Sequence, residues 1–111
     1  PCPKLILAVA NYVYRLPPEK PTAIPLALSV GLDWREFHTP PVDGGLRDQP
    51  ISMMRAMRIA LNTYDAIQAY RNAPQYSVEA NNQYFERNPQ IMKTMQLIWK
   101  LQEDDQVNQE G

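Results

Sequence analysis

The sequence predicts an all-α fold: a small bundle of four to five helices with a proline-rich N-terminal half and a disordered acidic C-terminal tail. Three observations carry this expectation. Residues 51–72 contain neither proline nor glycine, and Met54, Met57, Leu61 and Tyr64 recur there at spacings of three and four, the period of a helix with one apolar face. Nine of the eleven prolines lie at or before position 50, which confines the front half to short pieces joined by turns. Past Leu101 the only apolar side chain is Val107, among the acids Glu103, Asp104, Asp105 and Glu110, too little apolar surface to order the segment. At 111 residues the chain makes one domain at most. A single helical domain is assigned to 1–101, with short helices and loops over 1–49 and a helical core over 50–101, followed by the tail at 102–111.

Taken in order, residues 4–16 form a helix that gathers Leu5, Ala8, Val9, Tyr12, Val13 and Leu16 on one side, opened by Pro3 and closed before Pro17. The run Leu5-Ile6-Leu7-Ala8-Val9 also fits a buried strand, so helix is preferred but strand stays open. Residues 22–30 make a second short apolar piece, broken by Pro25 and stopped at Gly31. Asp33 then caps a single turn over 34–37. Residues 38–49 read as a loop, stiffened by Pro40-Pro41 and given positive φ by Gly44-Gly45. Pro50 at the first helical position gives up only an amide that would be unpaired in any case, so a helix over 51–72 begins there, about 33 Å long. Asn72-Ala73-Pro74 ends it. Ser77 caps a helix through Arg87, and Asn88-Pro89 opens a last one over 89–101, with Ile91, Met92, Met95, Ile98 and Trp99 on one face.

Composition removes several classes of function. No apolar run approaches the roughly 20 residues that cross a bilayer, the longest being Leu5 to Ala10. One cysteine, Cys2, cannot close an intramolecular disulfide, and with one histidine, His38, there is no Cys/His zinc set. A reducing compartment fits, and without a basic start, apolar middle and small-residue cleavage site, export is not expected. Charges cancel over 1–50, whereas Arg55, Arg58, Arg71, Arg87, Lys93 and Lys100 outweigh Asp65, Glu79 and Glu86 over 51–100. That excess is too small for a nucleic-acid surface, and no Gly-rich phosphate loop accompanies it.

Candidate catalytic and metal-binding residues meet the same end. Pro1 as an amine base requires paired βαβ units that this chain lacks, and Cys2 has no local histidine to activate it. His38 lies near Asp33, Glu36 and Asp43, but a turn and two prolines separate them and no metal-ligand spacing is present. Asp104-Asp105 sits in a polar tail with nothing to shift a pKa. No catalytic, cofactor-binding or metal-binding residue is assigned, and the chain is not expected to be an enzyme.

The methionines carry more information. Met53, Met54, Met57, Met92 and Met95 fall in two predicted helices, and flexible thioethers either fill irregular cores or line surfaces that accept varied partners. With six tyrosines added, the stripes exceed what a small core takes, so part of this surface is assigned to another protein. The expected partner-binding residues are Met53, Met57, Tyr64, Tyr70, Met92, Met95, Ile98 and Trp99.

The run Val42-Asp43-Gly44-Gly45-Leu46-Arg47-Asp48-Gln49-Pro50, placed directly before an amphipathic helix and after the one-turn piece Asp33-Trp34-Arg35-Glu36-Phe37, resembles small proteins of tailed-phage structural modules. These are the tail-assembly chaperones and neighbouring accessory proteins. The resemblance covers residues 33–72, and its motif is a loop with a helix start, not a catalytic signature. It implies non-enzymatic action: holding a long helical partner of the tape-measure kind, or joining structural proteins, in a bacterial host cytoplasm or a virion. The alternative is a stoichiometric subunit of a large assembly, such as a head-tail connector, with the proline-rich front extended over a neighbour and self-association among the expected contacts.

Overall fold

A computed structural model of the chain describes residues 3–14, 23–38, 40, 42, 44 and 49–110, the side chains of 107–110 excepted. The described residues form five helices and no strand: α1 (Pro3–Tyr14), α2 (Leu26–Phe37), α3 (Ile51–Arg71), α4 (Val78–Arg87) and α5 (Pro89–Glu110). The fold is all-α, as expected. Residues 4–14 are helix and not strand, while 15 and 16 lie outside the described residues. Cα packing divides the chain into two compact units, Pro1–Tyr64 and Asp65–Gly111, with the division inside α3. The change in composition at 49/50 lies within the first unit.

In the first unit, Val9 of α1, Leu28 of α2 and Ala60 of α3 are wholly buried and packed by Leu5, Tyr12, Val13, Ala27, Leu32, Leu61 and Tyr64. Burying a leucine or valine contributes about 1.5–3 kcal/mol each, so α1 and α2, each only 12 residues and marginal alone in water, are held by packing on one another and on α3. The inward face of α1 is centred on Ile6, Val9 and Ala10, about one position round from the stripe the pattern picked. Thr63 is buried on α3, and its hydroxyl donates to the Ile59 carbonyl at 2.8 Å, which leaves no unpaired polar atom inside the helix face.

Two punctuation marks in α2 read differently in three dimensions. Pro25, expected to break the second piece, is the N-cap of α2, and Gly31 and Asp33, expected as a stop and a new cap, are interior positions of one continuous helix. A Cβ on Gly31 would lie 3.1 Å from Cγ of Leu61, so the glycine serves close approach between α2 and α3 and ends nothing. The helix stops instead at His38, a left-handed cap (φ 56°) whose amide donates to the Trp34 carbonyl at 2.8 Å, two residues before Pro40.

In the second unit Ala66, Ile67, Ala73, Met95 and Ile98 are buried. The short helix α4 has no buried residue. It is held by its Ser77 cap, which accepts from the Ala80 amide at 3.0 Å, and by Asn81 donating to the Pro74 carbonyl at 3.0 Å. Asn88 closes α4, its side chain donating to the Tyr84 carbonyl at 2.9 Å, and Pro89 opens α5 as the sequence predicts. The expected boundary at 101/102 shifts toward the C-terminus. Helix α5 does not end at Leu101 but runs to Glu110, and Leu101, Gln102 and Asp105 are half-buried. Glutamate and glutamine are good helix formers, and a helix already nucleated over 89–101 propagates at little cost per residue. The side chains of 107–110, and Gly111, lie outside the described residues.

A candidate docking groove between α2 and α3

The approach of α2 and α3 at Gly31 and Leu61 opens a groove of about 440 Å³ beside it. One wall is the stripe Gly31, Trp34, Arg35 and His38 of α2, residues one helical turn apart. The other is Met54, Met57, Arg58, Leu61 and Asn62 of α3 at the same period. Met57 is only 4% exposed, Trp34, Met54 and Leu61 are half-buried, and Arg35, His38, Arg58 and Asn62 are exposed. The interior is therefore thioether, indole and isobutyl, and the rim is cationic and amide. Among the described residues no carboxylate lines it. The volume falls in the range of ligand and side-chain pockets, and an apolar trough between two helices is the geometry that accepts an amphipathic segment.

Among the described residues the lining contains no serine, cysteine or carboxylate beside His38. Nor does His38 join a metal site: among the described residues no three His, Cys, Asp or Glu side chains gather around one point. Asp43, the third carboxylate near it in sequence, lies outside the described residues, as do Pro1 and Cys2. No helix among the described residues is long and apolar enough to cross a membrane.

The loop before α3 has a structural part that sequence reading missed. Gln49 is 6% exposed, and its carboxamide accepts from the Val42 amide at 3.0 Å while donating to the Val42 carbonyl at 2.7 Å. A side-chain amide carries one acceptor and two donors, so it pairs with both main-chain groups of a residue as a neighbouring strand would. The glutamine of the Asp48-Gln49-Pro50 run thus clamps the start of the loop to its end, with Gly44 at φ 117° between. Gln49→Glu retains the shape and the acceptor but removes the donor, leaving two oxygens opposed. Urea unfolding should show a loss of about 1–3 kcal/mol; an unchanged midpoint would mean that the clamp contributes nothing.

The eight expected partner-binding residues separate into three groups. Met57, Met95 and Ile98 are buried, and Tyr64 packs against the Val9–Leu28–Ala60 core. This corrects the assignment of Met95 and Ile98, because a side chain closed off from solvent by its own chain cannot meet a partner, whereas Met57 lines the α2–α3 groove and Tyr64 is only half-buried. Tyr70, half-buried, meets Trp99 edge to face at a ring separation of 5.4 Å and Phe85 at 5.7 Å. That aromatic cluster is an internal contact of the second unit, although Trp99 stays 39% exposed. Met53 is half-buried, and Met92 lines a shallower groove between α4 and α5 with Phe85, Glu86, Lys93 and flanking amides, where the charges are of both signs. The most exposed large apolar residues lie elsewhere: Leu26, Phe37, Ile51, Tyr76 and Val78. Trp34, Arg58 and Leu61 were legible only as members of helices, since a groove needs the register of two helices and neither one shows it alone.

Comparison with protein families, with curated proteins and with solved structures finds no match to this chain.

Proposed function

We propose that this chain is a non-enzymatic protein-interaction module that seats a helical segment in the α2–α3 groove. The observation that carries the reading is the lining itself: an apolar interior around Met57, a rim of Arg35, His38 and Arg58, and, among the described residues, no carboxylate. The resemblance of residues 33–72 to tail-assembly chaperones and accessory proteins of tailed-phage modules supports the same reading, with a long helical structural protein as the partner. Trp34 and Arg58 belong to the residue types that dominate binding energy at interfaces, and both line the groove.

The test is site-directed cross-linking in the native source. A photo-reactive side chain at Met54 is expected to capture a protein through a helical segment, whereas one at the exposed Gln83 of α4 is not. Arg58→Glu should reduce the capture at least tenfold, and Trp34→Ala by more, while both variants retain their helical signal. Equal cross-linking from both positions, or capture indifferent to Arg58→Glu, would sink the groove as the docking site. A second reading, a stoichiometric subunit of a larger assembly, is favoured by Tyr76 and Val78, which flank the α4 cap at 86% and 78% exposure and offer a separate apolar contact.

A further inference from the structure

We infer that the groove's occupant is the acidic end of α5 from a second copy of this chain, so that copies join head to tail. This rests on the groove being a docking site, and it puts a second copy of the chain where the family resemblance would put a foreign structural protein.

The argument is one of complementary chemistry. Among the described residues the groove is lined by Arg35, Arg58 and His38 with no carboxylate, and Arg55 is exposed on α3 less than one turn before Arg58. Residues 101–111 contain Glu103, Asp104, Asp105 and Glu110 and no lysine or arginine. As a disordered tail this segment would present only diffuse charge. As helix to Glu110 it presents a face: Trp99 is partly exposed, and the exposed Glu103 follows it by four residues, the spacing that places one side chain above the other. An aromatic anchor with a carboxylate one turn on matches an apolar trough with a cationic rim, in which opposite charges fix register and exclude like-charged partners. Groove and acidic helix end occur once in every copy, so each molecule carries both halves of the joint. A contact of this kind is heterologous and closes into a ring or continues as a filament.

Light scattering and sedimentation of the full chain over a wide concentration range test it. At low ionic strength the mean mass should rise above the monomer as concentration increases, and salt at about 0.5 M should reverse the rise by screening the pairs. Arg58→Glu and Glu103→Lys, both at exposed positions, should each weaken association at least tenfold while preserving helical circular dichroism. Arg87→Glu, a charge change of equal size on α4, should not. Mixing the Arg58→Glu and Glu103→Lys proteins should restore association, because each supplies the surface that the other now requires. A wild-type chain that stays monomeric at every concentration overturns the inference. So does association indifferent to both substitutions, or a mixture no larger than its parts. A monomer whose Met54 position still cross-links a foreign protein in an Arg58-dependent way removes the second copy and leaves the groove reading standing; a monomer with no such cross-link removes both.

Discussion

Leu28→Ala is expected to lower the stability of the chain by about 2–5 kcal/mol, the range for truncating a wholly buried leucine. Leu28 has no exposed surface and sits between Val9 of α1 and Ala60 of α3. Removal of three carbons there forfeits the transfer free energy and leaves a void that Ala60 is too short to fill. The measurement is urea unfolding, with an unchanged denaturant slope showing that the loss is in stability and not in the extent of unfolding. Leu26, two residues earlier and 68% exposed, provides the control: Leu26→Ala should shift stability by no more than about 0.5 kcal/mol. Equal effects at the two positions would mean that α2 does not bury the face described. Since domains of this size retain only about 5–15 kcal/mol in total, Leu28→Ala alone brings the first unit close to unfolding at physiological temperature.

Ile98→Glu should abolish the tertiary structure of the second unit. Ile98 is wholly buried on α5, one residue before Trp99. A carboxylate placed there has no partner, and an unpaired buried charge costs several kcal/mol on top of the lost apolar burial. The expected signature is loss of the near-ultraviolet aromatic signal from the Tyr70–Trp99 pair and of a cooperative thermal transition. Leu97→Glu, one residue away and 38% exposed, should melt within a few degrees of the parent, a shift of about 1 kcal/mol or less. A cooperative Ile98→Glu protein would show the α5 face to be wrongly assigned. The same reasoning bears on interaction studies: lost binding in Ile98→Glu or Met57→Glu reports lost folding, so Arg58 and Trp34 are the positions that report on docking.

The elements that were legible in sequence are those whose signals are local. The stripe of Met54, Met57, Leu61 and Tyr64, the Ser77 cap and the Asn88-Pro89 start each depend on residues within one or two turns, and α3, α4 and the start of α5 appear where those signals lie. Gly31 and Asp33 misled because the same residue types serve two ends. A glycine stops a helix when it takes positive φ, and it permits close packing when it stays helical, and only Leu61 at 3.1 Å selects the second. Gln49 carried no signal because its partner, Val42, is seven residues away across a loop.

By itself the sequence determined that this is an all-α chain, where most of its helices begin, that no run spans a bilayer, and that acidic residues follow Leu101. Periodicity, caps and charge are properties of neighbours along the chain. The tertiary structure alone decided which side of each helix is inside. Met57, Met95 and Ile98 belong to the same apolar stripes as Met53, Met92 and Trp99, and the first three are buried while the others keep solvent contact. A helical stripe is wider than the contact that buries it, so which of its members remain at the surface depends on the neighbouring helix and its register. The groove has the same origin: Trp34 and Arg58 are separated by 23 intervening residues in sequence, and they line one trough because Gly31 lets α2 approach α3.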